Sequence, residues 1–176
     1  MNILDTTIQN HTSKTKALAI DGLFIALTCV ATAFINIRLP IMANGGLIHL
    51  GNVPLFIAAI LFGKRTGALA GAVGMGLFDL LSGWAIWAPF TFVIVGFMGF
   101  TVGVVAEKTN HKSYSWNVIA LILAGIIKVI GYYIAEGIIY GNWVAPATSI
   151  LGNVVQICVA AIIVLPIIPM LKKLKF

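Results

Sequence analysis

The spacing of the positively charged residues constrains the fold of this chain more than any other feature. Nine of the eleven Lys and Arg residues form four clusters, which are Lys14 and Lys16; Lys64 and Arg65; Lys108 and Lys112; and Lys172, Lys173 and Lys175. The apolar stretches between clusters hold roughly 40 to 60 residues, enough for two membrane-crossing helices of about 20 residues each and a turn. An even number of crossings puts all four clusters on one side, and the positive-inside bias makes that side cytoplasmic. The sequence therefore predicts an all-α integral membrane bundle of six transmembrane helices with both termini in the cytoplasm.

The composition agrees with a protein whose surface faces lipid. Hydrophobic residues make up 60% of the chain, charged residues make up 9%, and the mean hydropathy is +1.05. This excludes an ordinary soluble domain. The net charge of +6 is interpreted as a topology signal with some attraction to anionic lipid headgroups. The cations lie in short loops without a nucleic-acid-binding motif, so no nucleic-acid partner is expected. Cys29 and Cys158 lie in apolar runs without CxxC spacing, so neither a metal nor another cofactor is expected.

Helix-breaking residues and small residues divide the chain further. Residues 1–16 are expected to be a cytoplasmic tail, residues 17–171 the six-helix membrane domain, and residues 172–176 a basic cytoplasmic tail. The six predicted spans cover about residues 17–37, 52–62, 66–81, 89–106, 117–140 and 147–170. The second span is short for a crossing helix. The third carries several small-xxx-small spacings, which let helix backbones approach closely, and is predicted to be the packed centre of the bundle.

Polar residues inside the spans gather in the predicted outer half, where they are costly and therefore informative. Lys128, Tyr132 and Glu136 follow one another at i, i+4 and i+8, which places them on one helical face. Further polar or aromatic residues at this depth are Asp79, Trp84, Trp87, Thr91, Ser149, Asn153 and Gln156. Tryptophan and tyrosine with a few amides and charges suit a small planar heterocycle. The pattern predicts a binding pocket that opens to the outside.

Other interpretations of the same residues stay open at this point. Trp84 and Trp87 also fit an interfacial aromatic belt. Lys128 also fits a structural ion pair with Glu136 or Asp79, while Asn153 and Gln156 also fit interhelical hydrogen bonding.

Two other classes of protein are compared with the pocket. A self-contained secondary transporter would need polar groups through the full depth of the membrane, and these stop near its middle. An intramembrane enzyme would need a nucleophile and a base at compatible depth, and no His lies within a span; a Lys128 base with Ser149 is not excluded. The chain lacks a GxxxxGK[ST] phosphate loop, so it is not expected to hydrolyse ATP itself.

Two segments of the chain resemble a known family. Residues 45–99, GGLIHLGNVPLFIAAILFGKRTGALAGAVGMGLFDLLSGWAIWAPFTFVIVGFMG, and residues 132–156, YYIAEGIIYGNWVAPATSILGNVVQ, resemble the substrate-binding S components of energy-coupling factor (ECF) vitamin transporters. The similarity is to the branch with riboflavin, hydroxymethylpyrimidine and pyridoxine-type members. The resemblance implies a non-enzymatic subunit of the prokaryotic plasma membrane that captures a vitamin outside. It also implies two kinds of protein partner: a membrane T component and two cytoplasmic ATPase subunits.

The resemblance also implies roles for individual residues. The loop 38–50 would close the pocket, and Gly22-xxx-Ala26 would stand where the family has an Ala-xxx-Ala surface for the T component. Val95 stands where many relatives have Lys, and Asn52 where many have an acidic residue. The ligand is expected to be hydroxymethylpyrimidine or a pyridoxine-like ring, with a riboflavin-specific S component as the alternative. The substrate-binding residues that it implies are Asn44, His49, Trp84, Trp87, Thr91, Lys128, Tyr132, Glu136, Asn153 and Gln156.

Overall fold

The computed structural model describes residues 3–38, 47–111 and 113–173, which form helices and one short hairpin. In chain order the elements are α1 (Ile3–Phe34), β1 (Asn36–Arg38), β2 (Leu47–His49), α2 (Asn52–Phe62), α3 (Lys64–Leu69, Ala70–Met75 and Gly76–Leu81), α4 (Ala88–Lys108), α5 (Tyr114–Tyr140) and α6 (Ala147–Leu171). The α3 helix is continuous but has three parts, which are an α-helical segment, a π-helical segment and a second α-helical segment.

The helical architecture predicted from the sequence is confirmed, and the described residues contain four helices that are long and apolar enough to cross a membrane by length and composition. These are Ser13–Phe34, Ala88–Lys108, Tyr114–Tyr140 and Ala147–Leu171, while Asn52–Phe62 is a shorter apolar helix. The count of six crossings and the cytoplasmic location of both termini stay predictions.

The first helix departs from its predicted bounds. It begins at Ile3. The sequence predicts a tail up to residue 16 and a first span that begins at about residue 17. No Gly or Pro occurs between Ile3 and Gly22, so nothing in the covalent structure interrupts the helix there. The helix thus continues through residue 16, and the division between a cytoplasmic tail and a membrane domain at that residue stays a prediction.

The third helix packs closely against its neighbours, as its small residues predict. A Cβ atom added to Gly67 would lie 2.5 Å from the Ala59 Cβ of α2 and 2.7 Å from the Gly99 carbonyl oxygen of α4. A Cβ added to Gly71 would lie 2.5 Å from the Val95 carbonyl oxygen. Only glycine leaves room for such backbone contact. The prediction that this helix forms the packed centre is confirmed for the described residues.

The hairpin connects α1 to α2 at one end of the bundle. Its strands pair antiparallel, with Asn36 opposite His49 and Arg38 opposite Leu47. The Asn36 side chain donates to the Ala33 carbonyl oxygen at 2.6 Å and so satisfies an acceptor at the end of α1. The Leu50 N–H donates to the Ile35 carbonyl oxygen at 3.0 Å. These bonds fix the base of the hairpin beside the ends of α1 and α2.

Charged groups tie the helices together at the opposite end. The Glu107 carboxylate accepts from the Lys64 N–H at 2.9 Å and lies 3.1 Å from its ammonium group, so it caps the first turn of α3. Asp21 is buried and accepts from the Thr66 hydroxyl at 2.8 Å, while Arg65 lies 3.2 Å from its second oxygen. From the sequence these cations are predicted only to mark the topology. In the structure, Lys64 and Arg65 also hold helices together.

Candidate functional site

A cavity lies beneath the hairpin, between α1, α3, α4, α5 and α6. Nine of the ten predicted substrate-binding residues line it, and the tenth, Asn44, lies outside the described residues. The lining residues are Thr32, Leu47, Ile48, His49, Met75, Phe78, Asp79, Trp84, Trp87, Thr91, Lys128, Tyr132, Glu136, Ser149, Gly152, Asn153 and Gln156. The residue set implied by the family resemblance thus contains side chains that the fold brings together, and their contact with a ligand stays a prediction.

Three residues of α5 contribute one wall of the cavity, because successive turns of a helix repeat the same face. Lys128 and Glu136 are almost fully buried, with 1% and 4% of their surface exposed. Tyr132 lies between them, and the Lys128 ammonium is 5.4 Å from the centre of its ring. The separation is typical of a cation–π contact. A cation, an aromatic face and a carboxylate therefore follow one another along the wall.

The cavity holds one buried cation and two carboxylates. Lys128 donates to the Gln156 side-chain oxygen at 3.2 Å and interacts electrostatically with Asp79. Glu136 accepts from the Ser149 hydroxyl at 2.7 Å. Buried charges persist only where other charges and hydrogen bonds compensate them. The alternative interpretation of Lys128 as a member of an ion pair is compatible with this geometry, and so is a direct role in binding.

Aromatic side chains form the second wall. Trp87 is buried, and its ring centre lies 6.4 Å from those of Trp84 and Tyr132. The Tyr132 hydroxyl is 3.0 Å from the Thr91 hydroxyl, which fixes its orientation. Trp143, in contrast, has 55% of its surface exposed. The aromatic-belt interpretation therefore fits Trp143, while Trp84 and Trp87 line the cavity.

The hairpin covers the cavity through Leu47, Ile48 and His49. The Leu47 carbonyl oxygen accepts from the Gln156 side-chain nitrogen at 2.8 Å. The His49 Nδ1 accepts from the Gly51 N–H at 3.2 Å. Burial lowers the pKa of His49 well below its ordinary value, and the nearby Lys128 charge lowers it further. At neutral pH His49 is therefore uncharged, with its proton on Nε2.

Several lining residues are absent from the predicted set. Asp79 and Ser149 stand out in the sequence as polar residues of the outer half, but the family resemblance did not assign them to the pocket. Thr32 and Met75 carry no such signal. Thr32 lies in the last turn of α1, and Met75 is the last residue of the π-helical segment. Only the three-dimensional structure places these two residues at the cavity.

The structure also places the two predicted partner-contact residues. Gly22 and Ala26 are both exposed on α1, one turn apart. A Cβ atom added to Gly22 would meet nothing within 4 Å. For metal binding, no group of three or more His, Cys, Asp or Glu side chains is suitably placed within residues 3–38, 47–111 and 113–173.

Known proteins share both the sequence pattern and the fold. The model of a family described as the S component of ECF-type riboflavin transporters matches residues 12–173. The thiamine precursor transporter HmpT of Lactococcus lactis subsp. cremoris is 28% identical over 158 residues, which cover 90% of this chain and 89% of that protein. An uncharacterised protein of Pyrococcus woesei is 36% identical over 105 residues, covering 60% of this chain and 69% of that protein.

Solved structures of similar fold come from the same class of transporter. The S component of a bacterial ECF transporter superposes with a TM-score of 0.75 at 21% identity, covering 91% of this chain and 97% of that one. ThiT from Listeria monocytogenes superposes with a TM-score of 0.71 at 22% identity, covering 92% and 97%. The biotin S component of an ECF-type ABC transporter gives a TM-score of 0.71 at 18% identity, covering 93% and 94%.

Proposed function

Because the chain belongs to the family of S components of ECF-type riboflavin transporters, we propose that it binds hydroxymethylpyrimidine from outside the cell. As a member of this family it is a multi-pass membrane transport protein and not an enzyme. In the proposed cycle, the cavity captures the ligand, and a membrane T component with two cytoplasmic ATPase subunits drives its delivery inward.

The observation that carries the choice of ligand is a cavity that joins an aromatic wall to two carboxylates. Its volume is about 100 Å³. At roughly 10–15 Å³ per water position, this is space for several waters or one small ring. A planar pyrimidine would stack against Trp87 and Tyr132. Its exocyclic amino group would donate to Asp79 or Glu136, and its ring nitrogens would accept from Lys128.

One further line of support and two alternatives bear on the ligand. The relative from Lactococcus lactis is named a thiamine precursor transporter, and hydroxymethylpyrimidine is such a precursor. A pyridoxine-like ring has a similar size but presents a phenol instead of the amino group, so two carboxylates favour it less. Riboflavin is the second candidate, favoured by the description of the matching family.

The proposal is tested by ligand titration of the purified protein in detergent. We expect hydroxymethylpyrimidine to quench the fluorescence of Trp84 and Trp87 and to bind at least about 100-fold more tightly than pyridoxine or riboflavin, a difference of about 2.7 kcal/mol. Glu136→Gln and Asn153→Ala should each weaken binding about tenfold, because each removes a polar group that lines the cavity. Tighter binding of riboflavin would overturn the choice of ligand.

A neighbouring tyrosine provides the matched control for these variants. Tyr133 lies next to Tyr132 in the chain, but its hydroxyl donates to the Trp143 carbonyl oxygen at 2.6 Å outside the cavity lining. Tyr133→Phe should leave affinity within about twofold of the unsubstituted protein, since the lost bond is exposed. If Glu136→Gln and Asn153→Ala behaved like Tyr133→Phe, the cavity would not be the binding site.

The proposed coupling surface on α1 gives a separate prediction. Gly22→Leu or Ala26→Leu adds a large side chain at a position of the exposed helix surface that now holds a small residue. Either substitution should block close approach of a partner helix. Because neither residue lines the cavity, ligand affinity should stay unchanged while uptake by the assembled transporter falls at least about tenfold. Leu23→Ala, on the same exposed helix, is the control. Normal uptake in both leucine variants would refute this surface.

A further inference from the structure

We propose that Gln156 is a positioning residue that latches the β1–β2 hairpin over the cavity, and that Lys128 sets the orientation of this latch. The inference rests on the proposed function only in that a ligand must pass the hairpin to reach the cavity. It differs from the predicted role of Gln156, which was direct contact with the ligand. The experiments below separate the two.

Both ends of the Gln156 amide are occupied within the protein. Its nitrogen donates to the Leu47 carbonyl oxygen at 2.8 Å, and its oxygen accepts from the Lys128 ammonium at 3.2 Å. The reverse orientation of the amide is excluded chemically. An ammonium group has no acceptor, and a carbonyl oxygen has no donor, so a flipped amide would lose both bonds. Lys128 therefore forces the amide nitrogen to point at the hairpin.

The latch acts on the end of the described hairpin that lies farther from α1 and α2. The base of the hairpin is fixed where Asn36 follows α1 and His49 precedes α2. Leu47 pairs with Arg38 at the other end, and this is the third residue pair counted from the base of the hairpin. A two-stranded hairpin of this length is only marginally stable by itself. Its contact with α6 therefore decides how much of the time it covers the cavity.

Burial makes the latch effective. Only 6% of the Gln156 surface is exposed, so opening the hairpin leaves buried polar groups that water must enter to satisfy. Lys128 has three hydrogens and uses one on Gln156, which leaves donors for a ligand in the same cavity. A ligand can therefore bind Lys128 while the latch stays closed. The latch should therefore slow both the entry of a ligand and the escape of a bound molecule.

The first experiment measures the hairpin directly in the full-length protein without any ligand. Nitroxide labels at Ile37→Cys on the hairpin and Leu151→Cys on α6 are placed at exposed positions, in a background with Cys29→Ala and Cys158→Ala. Gln156→Met keeps a similar volume without hydrogen bonds, and Gln156→Glu keeps an acceptor for Lys128 but turns a second acceptor toward Leu47 O. We expect either substitution to raise the population with long inter-label distances about tenfold.

Asn153 supplies the matched control, because it lines the same cavity one turn earlier on α6. Asn153→Ala should leave the distance distribution unchanged. A distribution identical to that of the unsubstituted protein in Gln156→Met and Gln156→Glu would overturn the latch. If the methionine variant does not fold, the glutamate variant decides, since its carboxylate can pair with Lys128 and keep the cavity charge compensated.

The second experiment separates this inference from the proposed ligand. Stopped-flow release of hydroxymethylpyrimidine should be about tenfold faster from Gln156→Glu, and association should be up to about tenfold faster as well, because the ligand passes the same hairpin in both directions. An unchanged release rate together with a slower association rate would indicate direct contact and count against the latch. Failure of the pyrimidine to bind the unsubstituted protein would refute the proposed ligand, while the distance measurement would still test the latch.

Discussion

Gly67→Ala is expected to lower the free energy of unfolding by about 3 kcal/mol, which for a protein of this size is a fall in melting temperature of roughly 6–12 °C. The added Cβ would meet the Ala59 Cβ at 2.5 Å and the Gly99 carbonyl oxygen at 2.7 Å. These contacts come from two different helices, so moving α3 away from one drives it toward the other. Differential scanning fluorimetry of the detergent-solubilised protein measures the effect.

A second glycine of the same helix separates the clash from the general effect of replacing glycine. A Cβ added to Gly76 would lie 3.6 Å from the Phe92 ring, an ordinary van der Waals distance. Alanine also has the higher helix propensity, so Gly76→Ala should be neutral or stabilising by up to about 1 kcal/mol. If both variants melted at the same temperature, close packing at Gly67 would not stabilise the bundle.

The sequence predicts the packed helix and the cavity wall because both depend on regular helical spacing. Small residues repeated every fourth position identify α3 as the helix that its neighbours approach, and Lys128, Tyr132 and Glu136 fall on one face for the same reason. The charge clusters similarly indicate where the chain turns. Each of these signals extends over many residues, so a local irregularity does not remove it.

Features that depend on a few residues or on tertiary contact are not predictable in this way. The strands Asn36–Arg38 and Leu47–His49 hold three residues each, too few for an alternating pattern to be recognised. The π-helical segment Ala70–Met75 has no periodic signature that distinguishes it from an α-helix. The helical start at Ile3 is not evident from the sequence, because the polar composition of residues 1–16 indicates a tail and not a helix.

Thr32 and Gln156 illustrate what pairwise geometry adds at the cavity. Thr32 follows the buried Thr28 by one turn of α1, so the sequence does not show which of the two lies at the cavity. The sequence places Gln156 among the polar residues of the predicted outer half, but its bond to the Leu47 carbonyl oxygen joins residues more than a hundred positions apart. A sequence pattern within one helix cannot contain that bond.

Lys128→Met is expected to weaken binding of hydroxymethylpyrimidine at least about 100-fold, the largest effect on affinity among the substitutions considered. Methionine has a similar length but removes the only cation among the described residues that line the cavity. The ligand loses a charged donor, and Asp79 and Glu136 lose the charge that compensates them. Leaving buried carboxylates uncompensated should also destabilise the protein by about 3–5 kcal/mol. Titration and thermal melting of the same preparation measure the two effects.

A double substitution distinguishes a ligand-binding lysine from a purely structural ion pair, the alternative that the sequence leaves open. Asp79→Asn in the Lys128→Met background removes the carboxylate that interacts electrostatically with Lys128, so melting temperature should recover by at least half of the loss. If Lys128 contacts the ligand, affinity should stay at least about 100-fold below that of the unsubstituted protein despite this recovery. Recovery of affinity together with stability would instead show that Lys128 only compensates Asp79, and the ligand would then be recognised by the aromatic wall and the remaining polar groups.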